Sequence, residues 1–142
     1  MSRVSILMES LPENISFARV VATAFITPLD PTVEEVTEIK TAVSEAVTNA
    51  IIHGYPVEGS QGQVRMELSA EGKTIAIEIS DDGVGIADID TARQPLFTTK
   101  EELERSGLGF TVMESFMDSV DIASAPGQGT KVTLTKTLAS RV

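Results

Sequence analysis

Three short groups of residues are suited to chemistry. In SEAVTNAIIHGY, Glu45 and Asn49 stand four apart, a spacing that puts both side chains on one helix face with roughly 5–6 Å between Cβ atoms. A carboxylate and an amide oxygen so placed can serve a Mg²⁺-nucleotide, because Mg²⁺ takes oxygen ligands and keeps waters and phosphate oxygens around it. They can equally be an incidental pair on a solvated helix. In ISDDGVGI, Asp81 continues the alternation of Ile75, Ile77 and Ile79 and so faces the core side of a strand. A carboxylate there needs a donor. The exocyclic amine of adenine would be one, with Gly83 and Gly85 letting the backbone pass close to the ring; the competing reading is a turn in which Asp81 and Asp82 bond their own backbone. In RSGLGF, Gly107 and Gly109 open a helix whose free N–H groups could cradle phosphate, with Arg105 adding positive charge. They are otherwise flexible glycines at a helix start.

The elements that must position these residues are legible from periodicity. Residues 3 to 9 alternate loosely and predict a first strand. Ser10 to Glu13 carry helix-start chemistry, and Phe17, Val20, Val21, Ala24 and Phe25 recur at helical spacing, which predicts a helix over roughly residues 12 to 26. LDPTVEEVTEIK offers a second start, with Asp30 as cap and Pro31 at the first helical position. That helix keeps Val33, Val36, Ile39, Val43, Val47, Ala50 and Ile51 on one face and should stop near Gly54. Glu45 and Asn49 fall off this apolar stripe.

Beyond the polar PVEGSQGQ the period changes to two. Val64, Met66 and Leu68 form one strand and Ile75, Ile77 and Ile79 the next, joined by a turn over Ala70 to Lys73 with Glu71 and Gly72 central. Val120 and Ile122, then Val132 and Leu134, make a second hairpin around PGQG, and GLGFTVMESFMDSV before it reads as a third helix. Residues 82 to 106 show only weak periodicity, and a loop of that length in a compact domain is usually functional. The expected fold is a two-layer α/β sandwich, with helices on one face of a mixed, largely antiparallel sheet, in a single domain spanning residues 1–142.

Composition narrows the function. With 142 residues and 42% apolar content the chain can bury a sizeable, mainly aliphatic core. Eleven Lys plus Arg stand against 21 Asp plus Glu, a formal charge of -10, which opposes direct binding to nucleic acid or anionic lipid. There is no cysteine and one histidine, so thiolate and histidine metal sites are disfavoured and a metal would be held by oxygen. The N-terminus lacks the apolar run of a signal peptide, and no stretch approaches the roughly 18 apolar residues of a membrane span. A cytoplasmic protein is expected.

The order of the motifs, E-x-x-x-N on a helix, D-x-G-x-G at a strand end, a long loop, then G-x-G at a helix start, resembles the ATPase and kinase superfamily of gyrase, heat-shock chaperones, histidine kinases and mismatch-repair proteins. FARV, LDPTVEEVTEIKTAVSEAV, SEAVTNAIIHGY and ARQPLFTTKEELERSGLGFTVMESFMD narrow the likeness over roughly residues 16 to 135. They resemble the sporulation anti-sigma-F family of serine protein kinases. The first dozen residues, the loop from Pro56 to Gln63 and LASRV are its least family-like parts.

That resemblance implies ATP and Mg²⁺ as cofactors, with Asn49 on the metal, Asp81 on the adenine amine, Gly83 and Gly85 shaping the base pocket, and Gly107 and Gly109 near the phosphates. It implies Thr130, in GQGT, as a further base contact, although Thr130 also reads as an ordinary strand-start threonine. Glu45 becomes the candidate general base toward a serine hydroxyl, and Arg105 the stabiliser of charge on the γ-phosphate; Lys100 could join it. Arg19, which interrupts the apolar spacing of the first helix, is a candidate partner contact, and Arg93 lies in the long loop. For His53 a packing or hydrogen-bonding role outranks phospho-acceptor, since no separate histidine-bearing dimerisation helix is present. The partners implied are a sigma factor held by an ATP-bound homodimer and an anti-anti-sigma antagonist phosphorylated on serine. A general-stress anti-sigma kinase, a nucleotide-gated binding module without kinase activity and a detached histidine-kinase catalytic domain are the alternatives.

Overall fold

Every run with a period of two becomes a strand, and each helical run a helix, in the computed structural model, which describes residues 1–54, 62–83 and 108–139. In chain order these are strand β1 (Ser2–Glu9), helix α1 (Glu13–Ile26), a short 3-10 turn (Thr27–Leu29), helix α2 (Val33–Gly54), strands β2 (Gln63–Glu71) and β3 (Thr74–Asp81), helix α3 (Leu108–Phe116), and strands β4 (Ser119–Ser124) and β5 (Thr130–Thr137). The strands form one sheet in the order β1-β2-β3-β5-β4, and each described pairing is antiparallel. No helix among the described residues is long and apolar enough to cross a membrane.

Register brings the apolar sets together. Met66 lies opposite Ile79 and Leu68 opposite Ile77, while Ile79 and Ile77 face Val132 and Leu134 on the other side. All six are buried. Against this face α2 lays Ile39, Ala42, Val43, Ala46, Val47, Ala50 and Ile51, all buried, with α1 and α3 packed on α2. Burying each large aliphatic side chain contributes about 1.5–3 kcal/mol.

The structure revises several local expectations. The face of α1 turned to the core is Ala18, Ala22 and Ile26, whereas Phe17 and Val20 are exposed. The two alanines allow the α1 backbone to lie close to α2, while Val21 and Phe25 of the same apolar run are partly buried and pack against the edge of the core. Within the Ser10 to Glu13 helix start, Pro12 holds the N-cap position of α1, without a side-chain cap bond. Ser10 instead ties the end of β1 to the approach to β2, its N–H donating to Gly62 O at 2.9 Å and its Oγ accepting from Gly62 N at 3.0 Å.

Asp30 does not cap α2; it adopts a left-handed conformation (φ 56°, ψ 56°) closing the 3-10 turn. The cap is a reciprocal box in which Thr32 N donates to Glu35 Oε1 at 2.8 Å and Glu35 N to Thr32 Oγ1 at 3.0 Å. This Thr-x-x-Glu arrangement satisfies a donor at each end of the first turn, which a cap at Asp30 would not. The second carboxylate oxygen of Glu35 accepts from Ala139 N at 2.8 Å. Burial alone would raise the Glu35 carboxyl, but the hydrogen bonds from Thr32 and Ala139 and the Lys136 charge hold it below its ordinary value.

The β2–β3 turn sits one residue later than expected, with Gly72 and Lys73 central between the paired Glu71 and Thr74. Gly72 alone has positive φ, 60°, the pattern of a type II′ turn. Helix α3 ends at Phe116 because strand β5 takes over its exit. Asp118 N donates to Thr135 O at 2.9 Å, Asp118 Oδ2 accepts from Thr137 N at 2.7 Å, and Lys136 Nζ reaches Phe116 O at 2.7 Å.

Candidate functional site

Helix α2 carries Glu45 and Asn49 off its buried stripe, one turn apart and each half-buried. The start of α3 is laid directly over them. A Cβ on the buried Gly109 would stand 3.1 Å from Asn49 Nδ2, 3.3 Å from Glu45 Oε2 and 3.4 Å from Asn49 Oδ1. Burial pushes the Glu45 carboxyl above its ordinary value of 4.5. Asn49 Nδ2 is one of two buried side-chain atoms among the described residues with no hydrogen-bond partner, the other being Ser44 Oγ. An orphaned buried amide costs about 1–3 kcal/mol. Such a cost persists at positions where a ligand completes the hydrogen bonding, and the amide can present either its oxygen or its nitrogen by rotation.

A second group forms where β3 ends. Asp81 extends the inward set of Ile75, Ile77 and Ile79, and is only 7% exposed. Its Oδ1 accepts from Gly83 N at 2.9 Å, so the turn bond and the inward orientation, posed as alternatives by the sequence, coexist. Burial raises the Asp81 carboxyl, with the Asp82 charge adding to it, and hydrogen bonds from the Gly83 and Thr130 backbone only partly offset that rise. Thr130 is the register partner of Asp81 on β5. A cavity of about 390 Å³ is lined here by Asp81, Asp82, Ser124, Gln128, Gly129 and Thr130, among others.

Two further residues belong to this group, and only one of them carries a cue in the sequence. Gly129 has φ 76°, and a Cβ on it would collide with the Asp81 carbonyl oxygen and stand 3.0 Å from Asp82 Cα. Its place in PGQG, just before a strand, is the cue for a close backbone approach. Ser124 Oγ donates to Gly129 O at 2.8 Å and lies 2.9 Å from Thr130 Oγ1; as an ordinary polar residue ending a strand, it offers no sequence cue.

The structure thus gathers Glu45, Asn49 and Gly109 in one group and Asp81, Gly83 and Thr130 in another. Gly85, Gly107 and Arg105 lie outside the described residues, as do Arg93, Lys100 and the side chain of His53. Arg19 is exposed on α1, with Nη2 3.4 Å from Ser16 Oγ.

A family model described as "Histidine kinase-like ATPase domain" matches residues 8–136. Anti-sigma F factor of Bacillus licheniformis is 57% identical over 137 residues, 96% of this chain and 93% of that protein. Anti-sigma F factor of Bacillus subtilis is 58% identical over 129 residues, covering 91% and 88%. The chain belongs to the anti-sigma F factor family.

Solved structures agree on the fold of this anti-sigma F family member. The RsbU and RsbW domains of a Mycobacterium tuberculosis protein superpose with a TM-score of 0.72 at 18% identity, covering 100% of this chain and 34% of that one. The catalytic domain of histidine kinase ThkA superposes at 0.54 with 17% identity, covering 97% of each chain. The two-layer arrangement with a largely antiparallel sheet, expected from periodicity, is the arrangement these ATPase-type domains share. Within that frame Glu45 and Asn49 stand beside the core stripe of α2, Gly109 lies at the start of α3, and Asp81 takes the last inward position of the sheet's central strand.

Proposed function

We propose that this anti-sigma F family member binds Mg²⁺-ATP between the two residue groups, holds a sigma factor in the ATP-bound state, and phosphorylates a serine of an anti-anti-sigma antagonist. The single observation that carries the nucleotide part is the packing of Gly109 on Asn49 and Glu45, which sets an unpartnered buried amide beside a carboxylate. The donor set fits the group: Asn49 offers an oxygen for Mg²⁺, and Asp81 offers a buried acceptor for the base amine. Bound Mg²⁺-ATP would supply the transferable γ-phosphoryl.

The chain's own residues then divide the work. Glu45, which burial makes more basic than an exposed carboxylate, is suited to take the proton from a serine hydroxyl presented on a partner. The absence of a Cβ at Gly109 leaves room for that approach. Arg105 would balance charge on the phosphoryl oxygens, and Gly107 and Gly85 would complete the phosphate and base contacts. Arg19, exposed on α1, is suited to a partner. The reading includes a homodimer, as the resemblance implies, and a cytoplasmic site of action, where sigma factors work. Relatives at 56–58% identity carrying the anti-sigma F name favour a sporulation sigma factor over a general-stress one.

The test is incubation with ATP, Mg²⁺ and the antagonist, followed by phosphoamino-acid analysis. Acid-stable phosphoserine on the antagonist is expected. Tight ATP binding without it would leave a nucleotide-gated binding module, and acid-labile phosphate on a partner histidine would point to histidine-kinase chemistry.

A further inference from the structure

Helix α3 is fastened at both ends. At its start Gly109 packs on Glu45 and Asn49 of α2. At its end Lys136 Nζ, from β5, donates to Phe116 O at 2.7 Å and lies 4.0 Å from Glu38 Oε1 of α2. Seven residues separate Gly109 from Phe116 on α3, and seven separate Glu38 from Glu45 on α2. At the helical rise each span is about 10.5 Å, so α3 runs against the direction of α2 with its two fastenings in step.

Lys136 is an unusual residue for its place. It continues the inward set of Val132 and Leu134 on β5 and stands opposite the buried Ile75, and its side chain is only 12% exposed. An ammonium so covered needs acceptors, and those it reaches belong to two different helices. Helix α3 has no basic residue in its own last turn. The cation that bonds a terminal carbonyl and offsets the negative helix end therefore comes from the sheet.

Resting on the nucleotide reading above, we propose that Lys136 is a positioning residue for the nucleotide site, fixing α3 lengthwise on α2 and thereby setting Gly109 on Asn49 and Glu45. Phe110, Met113 and Met117 bury the helix, but apolar packing is non-directional, whereas an ammonium on a carbonyl fixes a distance. Gly109 has no side chain with which to hold its own end. Without the Lys136 bond α3 is free to slide, and a misplacement of about 1 Å in a binding constellation is enough to cost up to roughly 10²-fold.

The test is a double-mutant cycle on Mg²⁺-ATP affinity, measured by calorimetry on the full chain well below its melting temperature. Lys136→Met, which keeps the reach of the side chain without its charge, should lower affinity by roughly tenfold. In a Gly109→Ala background, where the contact is already disturbed, the same change should cost roughly threefold or less. Lys136→Arg, which retains a donor cation, should stay close to the parent. If Lys136→Met does not fold by circular dichroism, Glu38→Gln, which slackens the lysine's tether, should lower affinity by roughly two- to fivefold, again less in the Gly109→Ala background. A lower melting temperature with unchanged affinity in whichever variant folds, or losses that simply multiply across the cycle, would overturn the proposal and leave Lys136 a brace for the fold. Failure of the parent to bind ATP at all would instead overturn the nucleotide reading.

Discussion

Gly109 and Asn49 are packed against each other so tightly that a side chain on the glycine has no free space: its Cβ would lie 3.1 Å from Asn49 Nδ2. The contact joins two stretches of sequence 60 residues apart, from the middle of α2 and from the first turn of α3. It makes the position of α3 sensitive to whatever Asn49 binds.

Gly109→Ala tests that coupling. Asn49 and Glu45 would have to shift by a few tenths of an ångström, and overpacking of this kind costs about 1–3 kcal/mol. The variant should remain folded by circular dichroism, with a modestly lower melting temperature, while ATP affinity measured by calorimetry falls more than stability does. Unchanged ATP affinity would separate Gly109 from the nucleotide.

Glu45→Gln should trade stability against chemistry. The folded-state pKa of Glu45 is raised above its ordinary value of 4.5, so the folded protein binds this proton more tightly than the unfolded chain and the ionised form costs stability at neutral pH. The glutamine variant should melt at a higher temperature near pH 7. The gain should shrink as pH falls from the raised value toward 4.5 and vanish below it. Phosphoryl transfer to the antagonist should slow by roughly 10²–10⁴ if Glu45 is the base; near-normal turnover would remove it from that role.

Asn49→Ala removes the orphaned amide. Deleting an unsatisfied buried polar group need not destabilise a protein, so the melting temperature should hold or rise. Affinity for Mg²⁺-ATP should drop while affinity for nucleotide in EDTA changes less. Parallel losses in both titrations would indicate a structural rather than a metal-directed role.

Gly129→Ala should be the most damaging of the four. It places a Cβ at φ 76° against the Asp81 carbonyl, combining a backbone conformation costly for L-residues with a backbone clash that no rotamer relieves. A loss of about 2 kcal/mol or more in urea unfolding is expected. Gly127, at the same φ but with open space around it, provides the control, and Gly127→Ala should cost less.

The fold was largely readable because two different periods, 3.6 and 2, alternate cleanly along the chain. Ile75, Ile77 and Ile79 predicted not only β3 but the inward direction of Asp81. The cap of α2 was misplaced because Asp30 and Pro31 advertise a start just as Thr32 and Glu35 do, and only the reciprocal bonds, with Ala139 arriving from the far end of the chain, decide between them. The outward Phe17 and Val20 were unreadable for a related reason. In α1 small residues take the fully buried face, so hydrophobicity alone does not separate the outward Phe17 and Val20 from Val21 and Phe25, which pack against the core. Glu45, Asn49 and Gly109 were each legible as residues, but their contact depends on how α3 crosses α2. Gly129 had a cue in PGQG, but its partner, the Asp81 carbonyl, is set by the strand pairing, and Ser124 acts through the Gly129 carbonyl, which residue type does not encode.

Strand β3 lies in the middle of the sheet order, flanked by β2 and β5, so the segment ending in Asp81 has ladder partners on both sides. Regions of this kind open only with the whole molecule, whereas helix ends and hairpin tips open locally at little cost. Amide exchange should therefore be slowest along β3 and much faster at the first turn of α3. The wall assigned to the base would keep its shape through the everyday breathing of the chain, and the contact assigned to the phosphate side would not. The two halves of one site would thus differ in lifetime.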